Sequence, residues 1–365
     1  MNLKQQNIMF LTRTMALGGT ENVILQLCEI LKPEVNNIIV CSCGGINVNK
    51  LNEMGIKHYE IIDIENKNPI NIIKNYIKIK KIIKSENINI IHSHHRMAAL
   101  YARLCSNKKN ILIANAHNTF KNKKFLTKVA YKNTKIIAVG NQVKNNLVDY
   151  FKILNDNITV IHNAIKPFDG KVNSIDIFEE EKKKSNFLIG NIGRLSEQKG
   201  MEYFIEAASM IYEKNKNARF FIVGSGEDLE KLENMANKLL PKDVLIFLGY
   251  RSDIQNVISQ LDLVVLSSLW EGLPLTPIET FSVGKTIVAT AVDGTVEIVD
   301  NNINGILVHE RNSKELAEAI IKLVEDNELR KKLENEALKT YNEEFSYNKL
   351  KEKYIKYYKN IKYEE

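Results

Sequence analysis

The chain has 365 residues and a formal charge of +7, with 44% hydrophobic and 26% charged residues. That length suggests about two domains, and the balance is that of a soluble globular protein rather than a disordered one. No apolar run approaches the ~18 residues that span a bilayer, and Met1–Phe10 lacks the long apolar stretch of a secretory signal, so a secreted, disulfide-built or integral membrane protein is not expected.

Strand-like runs alternate with helix-like runs from the start. This predicts an α/β protein with parallel sheets and right-handed crossovers. In the first half the expected strands are Asn7–Leu11, Asn37–Cys43, Tyr59–Ile62, Ile88–Ile91, Ile111–Asn115, Ile136–Val139 and Ile158–Ile161. The first helix, Thr20–Leu31, follows Gly18-Gly19. A Pro- and Gly-containing stretch ending in a charge run, 166–186, reads as a linker between domain 1–165 and domain 187–346. The pattern then restarts with Phe187–Ile192, Arg219–Val223, Val244–Phe247, Leu263–Leu266 and Thr286–Ala289. A basic, Tyr-rich C-terminal helix, 347–362, is expected to pack back on the first domain. The expected architecture is two doubly wound, Rossmann-like domains facing each other across a cleft, since ligands of such sheets bind outside the carboxyl ends of the strands.

The four cysteines, Cys28, Cys41, Cys43 and Cys105, form no C-x-x-C pair. They read as buried free thiols in a reducing cytoplasm. Charge is unevenly spread: residues 1–165 carry +13 and the remainder −6. Two stretches concentrate it. In 71–84 five lysines alternate with isoleucines, which reads as a solvated helix face over a core stripe. In Lys121–Lys135 six lysines stand among Phe125, Leu126, Val129 and Tyr131. That stretch fits either a solvated face or a surface lying on anionic lipid headgroups. Nucleic acid is not expected as a partner, because the second half is acidic and no nucleic-acid motif appears.

The candidate sites are strand-to-loop junctions. Gly18-Gly19 is either a tight turn or a place where backbone and a helix N-terminus approach an anion. His92, His94 and His95 end a strand; His92 and His94 share a face and His95 points away, a poor metal arrangement. His94 and His117, the latter at the next strand end, read as polar groups facing the site. His162 reads as structural. Gly193-Arg194 through Lys199-Gly200 places two cations at a helix entrance, which suits a diphosphate, although the P-loop pattern is absent. Gly224-Ser225-Gly226 is only a fragment of a dinucleotide fingerprint. In Glu271–Glu279, Thr276 as N-cap, Pro277 and Glu279 would form a capping box. That accounts for Glu279 but leaves Glu271 in the loop unexplained.

Taken in order, these segments resemble the family 4 retaining glycosyltransferases of the GT-B fold. The resemblance rests on Arg194 with Lys199-Gly200, Val223–Gly226, Phe247-Leu248-Gly249-Tyr250, Glu271 with Glu279, and Glu297-Ile298-Val299. Gly18-Gly19-Thr20-Glu21, His92–His94 and His117 add to it. It implies a hexosyl transferase working with retention. Arg194 and Lys199 would hold the nucleotide diphosphate, and Glu279 the ribose hydroxyls. Glu271 and the backbone of Gly272, Leu273, Pro274, Leu275 and Thr276 would contact the donor sugar. Gly224, Gly249 and Tyr250 would also line the donor site. Gly18, Gly19 and His117 would close over it, with His94 on the acceptor side. Where the family often has a Gly-Gly pair, this chain has Asp293-Gly294-Thr295, which leaves that loop's contacts open. No Asp-x-Asp triplet occurs, so neither metal nor cofactor is expected. The departing phosphate would take the acceptor proton, with His117 the rival base.

The expected partners are a nucleotide-sugar donor, expected as a UDP-sugar, and a glycan or lipid-linked acceptor. The Lys- and Asn-rich composition looks like a low-GC bacterium, where such relatives build capsule, exopolysaccharide or other surface glycans. The expected location is cytoplasmic, peripheral on the inner face of the membrane through Lys121–Lys135. The competing readings are a nucleotide-sugar epimerase of the same fold, which needs its own acid–base residues, and a non-catalytic membrane-surface adaptor, which needs no Glu271–Glu279 segment.

Overall fold

The computed structural model describes residues 1–361. The chain divides into two compact units, Met1–Asn163 with the C-terminal segment from Leu350, and Ala164–Lys349.

In the first unit the strands are β1 (Asn7–Leu11), β2 (Asn37–Ser42), β3 (Lys57–Glu60), β4 (Ile90–Ser93), β5 (Ile111–Ala116), β6 (Lys135–Ala138) and β7 (Ile158–Val160). They form one parallel sheet in the order β3-β2-β1-β4-β5-β6-β7. The helices are α1 (Gly19–Leu31), α2 (Val48–Glu53), α3 (Pro69–Ser85), α4 (Arg96–Cys105), α5 (Lys124–Tyr131) and α6 (Asn141–Asp149). Strands β1, β2 and β4 are buried along almost their whole length, β1 and β2 as largely apolar runs, as expected of a parallel sheet covered on both faces.

In the second unit the strands are β8 (Phe187–Ile192), β9 (Ala218–Val223), β10 (Leu245–Gly249), β11 (Leu263–Leu266), β12 (Ile287–Thr290) and β13 (Ile306–Val308), in the parallel order β10-β9-β8-β11-β12-β13. The helices are α7 (Asp176–Lys183), α8 (Met201–Lys214), α9 (Leu229–Leu239), α10 (Ile254–Gln260), α11 (Leu275–Ser282), α12 (Ser313–Glu325) and α13 (Asn327–Thr340). The last helix, α14 (Tyr347–Asn360), runs from this unit's final residues into the first unit's segment. Both units are Rossmann-like, and together they make the GT-B fold class.

Three expectations change. The stretch 166–186 is not an unstructured linker. It carries α7, whose Phe178 packs edge-on against Phe221 (4.7 Å between ring centroids) and whose buried Glu181 pairs with Arg219 (2.9 Å). A single apolar anchor among charges hides such a helix from periodicity. Strand β13 is three residues long, too short to register. On α3 the core stripe exists, with Asn75, Ile79, Ile82 and Ile83 buried, but the solvent face is not purely polar: Ile70, Ile72, Ile73 and Ile77 are exposed. The expected end of α14 at residue 362 lies outside the described residues. No helix among those described is long and apolar enough to cross a membrane, and all four cysteines are free.

Candidate functional site

The carboxyl ends of the second unit's strands carry the expected donor-side residues. After β8 the chain passes through Gly193-Arg194-Leu195 into one 3-10 turn, Glu197–Lys199, and then α8. Gly193 N–H donates to Val223 O (3.0 Å) and Leu195 N–H to Ser225 O (3.0 Å), which ties this loop to the turn after β9. Gly224 is required there by close approach: its φ is +149°, and a Cβ on it would lie 1.8 Å from Gly193 O. Its N–H donates to Gly249 O (2.8 Å) at the end of β10, beside the exposed Tyr250.

The two cations of this loop have different surroundings. Arg194 is exposed, with a loose contact to Glu227 at 3.5 Å. Lys199 is mostly buried, with Nζ 2.5 Å from Glu271 Oε1. The same oxygen accepts from Ser268 Oγ (2.6 Å), while Gln198 Nε2 donates to Trp270 O (2.9 Å). Glu271 N–H points at Asp293 Oδ2 (3.4 Å). A Cβ on Gly294 would lie 1.9 Å from Gly272 O. The Asp293-Gly294-Thr295 loop after β12 therefore packs directly on the Glu271–Leu273 loop. Glycine at 294 is what that approach requires.

The capping box does not form. Pro274, held at φ −68° and ψ 139°, is the last extended residue, and α11 starts at Leu275. Thr276 then lies in the first turn, its hydroxyl donating to Ile192 O (3.3 Å), and Glu279 is the fifth helical residue. Glu279 is thus left without its capping role. It is half-buried, and its carboxyl makes no hydrogen bond or ion pair with any described residue. Burial pushes its pKa up to about 7, against the opposing pull of Lys199. A carboxyl raised by burial, on a helix that follows a strand-end loop, makes Glu279 a candidate functional position.

In the first unit, β4 and β5 bring the histidines together. His92 and His94 share a face, ring centroids 4.6 Å apart, and Phe10 packs on both. His92 is fixed at both nitrogens, Nδ1 to Tyr358 Oη (2.6 Å) and Nε2 to Asn115 Oδ1 (2.7 Å). Asn115 Nδ2 donates to Tyr354 Oη (2.9 Å). Its Oδ1 therefore accepts from His92 Nε2–H, and the Tyr358 hydroxyl donates to Nδ1. His94 Nδ1 lies 3.2 Å from His117 Nε2, and its own Nε2 is buried with no partner. Burial pushes His92 down to about 3, His117 to about 4 and His94 well below the usual range. All three are neutral at pH 7. His95 instead caps α4, accepting from Met97 N–H (3.2 Å). Among the described residues no group of three His, Cys, Asp or Glu side chains is arranged to hold a metal ion. Gly18 is the extended residue before α1, and Glu21 in the first turn already places a carboxylate there, accepting from Thr14 Oγ1 (2.7 Å).

Sequence reading missed the supporting residues. Ser268 sits three residues before Glu271, and Asn115 one strand over from His92. Tyr354 and Tyr358 stand at the i, i+4 spacing of one helix face. Only the last was legible as a pattern.

The model for glycosyltransferase family 4 matches residues 17–167, and that for glycosyl transferases group 1 matches 173–340. The chain is 28% identical to the UDP-Gal:alpha-D-GlcNAc-diphosphoundecaprenol alpha-1,3-galactosyltransferase of Escherichia coli, over 93% of this chain and 94% of that one. It is 24% identical to the N,N'-diacetylbacillosaminyl-diphospho-undecaprenol alpha-1,3-N-acetylgalactosaminyltransferase of Campylobacter jejuni, over 92% and 94%. In fold it matches HepE of Anabaena, crystallised with UDP and glucose, with a TM-score of 0.85 over 98% of this chain and 100% of that one at 18% identity. With the two glycosyltransferase models between them spanning most of the sequence, the chain is a glycosyltransferase.

Proposed function

We propose that this glycosyltransferase moves a hexosyl group from a UDP-sugar to a lipid-linked acceptor, with retention and without a metal, in the assembly of a cell-surface glycan. The observation that carries the reading is the grouping at the carboxyl ends of β8 and β11. Lys199 lies on Glu271, and Glu279 is an unpartnered, half-buried carboxyl within reach of the field of Lys199. Glu279 supplies acceptors for ribose hydroxyls, and Glu271 for hydroxyls of the sugar. Breaking the sugar–phosphate bond puts charge on the diphosphate. Arg194, free to turn inward from its exposed position, Lys199 and the first N–H groups of α11 offset that charge, each well-placed donor being worth roughly 3 kcal/mol.

His117, with its pKa near 4, is a weak base. The proton of the acceptor hydroxyl therefore goes to a departing phosphate oxygen on the face the leaving group vacates, which gives retention. His94 and His117 serve as neutral hydrogen-bonding groups of the first unit. The UDP-sugar and the lipid-linked acceptor are taken from the names of the Escherichia coli and Campylobacter relatives. Lys121–Lys135 supplies positive charge for an anionic membrane surface.

The test is a screen of nucleotide sugars for thermal stabilisation, followed by transfer to a diphosphoprenyl-linked sugar in EDTA. The expected product carries the anomeric configuration of the donor, and EDTA does not lower the rate. An inverted product, or activity that needs an added divalent ion, overturns the mechanism.

A further inference from the structure

Helices α3, α4 and α5 are neighbours on one side of the first unit's sheet, α3 and α4 sharing a core beneath them. Their outer surface is unusual for a protein that meets only water. On α3, Ile70, Ile73 and Ile77 stand at i, i+3 and i+7, one helix face, and are 62%, 57% and 59% exposed. On α5, Phe125 is 81% exposed. Between the helices runs a groove of about 550 Å³, lined by Ile72, Met97, Leu100, Leu104 and Leu126. Leu104 is itself more than half exposed.

The charge on this face has one sign. Residues 69–85 hold five lysines and 121–135 hold six, and neither stretch contains an Asp or Glu. The one acidic group at the groove is Glu65, which is held by Arg13 at 2.7 Å. Isolated exposed apolar residues are ordinary, but a contiguous set marks an interaction surface. An apolar helix face edged by lysines is what a helix lying in a lipid interface requires. A protein partner would have to match the whole face with carboxylates, whereas an anionic bilayer supplies both chemistries at once.

We infer that the α3–α4–α5 face is a membrane-docking surface. It lies on an anionic bilayer with Ile70, Ile73, Ile77 and Phe125 at acyl-chain depth, lipid chains entering the groove, and the lysines of α3 and α5 on phosphate headgroups. This goes beyond the basic stretch 121–135 by making α3 the inserted element. It rests on the reading of a lipid-linked acceptor only for its purpose, not for its geometry.

The test is co-sedimentation of the full chain with phosphatidylglycerol–phosphatidylcholine vesicles and with phosphatidylcholine alone. The wild type is expected to bind the anionic vesicles, less so as salt rises, and the neutral ones weakly. Ile73→Ser with Ile77→Ser should lower partitioning roughly ten-fold or more by removing apolar anchors. Changing Lys74, Lys78, Lys81 and Lys124 to Gln should lower it by up to about a thousand-fold. These positions are exposed, so melting should be unchanged. Should a variant fail to fold, Ile73→Trp keeps an apolar anchor, and its emission should shift blue on anionic vesicles. Wild-type-like binding by the isoleucine pair, no blue shift, equal binding to neutral vesicles, or loss only when α5 is altered, overturns the inference. Vesicle-free, concentration-dependent association abolished by the isoleucine pair overturns it in favour of an interface between copies. Transfer to a short-chain, water-soluble acceptor separates this from the proposed function. A chain that binds vesicles but transfers nothing sinks the functional reading alone. One that transfers at full rate and ignores vesicles sinks this surface alone.

Discussion

Glu279→Gln tests whether the unpartnered carboxyl is a binding group held at a cost. Its pKa is raised from 4.5 to about 7, chiefly by burial. The folded state therefore holds this proton more tightly than the unfolded chain. The linked stability is fully present below pH 4.5, declines as pH rises from there, and is gone once pH passes about 7. At about 1.36 kcal/mol per unit the shift corresponds to roughly 3 kcal/mol, and partial solvent contact reduces this to about 2 kcal/mol.

Glutamine carries no charge to bury. The variant should therefore melt close to wild type at pH 5 and about 4–8 °C higher at pH 8, given ~2–4 °C per kcal/mol for a unit of this size. Affinity should move the other way. A carboxylate accepting ribose hydroxyls contributes about 1.5–3 kcal/mol, so UDP should bind the variant roughly ten- to a hundred-fold more weakly. Wild-type affinity should also rise as pH passes through 7 and the carboxyl ionises. Differential scanning fluorimetry at the two pH values, with calorimetric titration of UDP, reads both. A variant that melts at or below wild type at pH 8, or binds UDP equally well, refutes the reasoning.

Arg194→Ala should lower turnover by roughly ten- to a thousand-fold with an unchanged melting temperature, since the side chain is exposed. Lys199→Ala should lose as much turnover and also about 3 kcal/mol of stability, because it strands the buried Glu271; denaturant titration separates the two. Gly294→Ala should destabilise the loop pair after β11 and β12, read as a lowered melting temperature and lost nucleotide stabilisation, because its Cβ meets the Gly272 carbonyl. Tyr358→Phe should cost about 1–3 kcal/mol by leaving His92 Nδ1 without a donor; an unchanged denaturation midpoint would show that the hydroxyl does not hold that ring.

The strands were legible because parallel strands are apolar runs, and β1, β2, β8 and β11 lie where such runs predict them. The elements that escaped were too short or too polar for periodicity, as with β13 and α7. At the site, loops that end strands were readable as places where chemistry belongs, so Arg194, Lys199, Glu271 and Glu279 could be named. Their partners could not. Ser268 reaches Glu271, Asp293 reaches its amide, and Tyr354 and Tyr358 reach Asn115 and His92 across more than two hundred residues. Apart from Ser268, which lies three residues from Glu271, these contacts are set by tertiary approach, which no local pattern encodes. The capping box failed for a related reason. Thr276-x-x-Glu279 fits the motif, but Pro274 decides where the helix begins.

Residues that break local rules show where stability has been given up for something else. Glu279 keeps a half-buried carboxyl without a partner on α11. His94 keeps a buried ring nitrogen unsatisfied between His92 and His117. Ile70, Ile73 and Ile77 face water on a helix that also exposes five lysines. None of these helps the free chain to fold, and under the proposed function and docking surface each would gain a different partner: a ribose hydroxyl for the first, a sugar or acceptor hydroxyl for the second, acyl chains for the third. If they are functional, each should gain a partner on binding and none should be improved by the same ligand. Nucleotide alone should therefore abolish the pH dependence due to Glu279 without changing vesicle binding. Vesicles alone should protect α3 from hydrogen exchange without altering the Glu279 titration. A nucleotide that changed both would mean that the two units are coupled, and the assignment of one ligand to each irregularity would have to be given up.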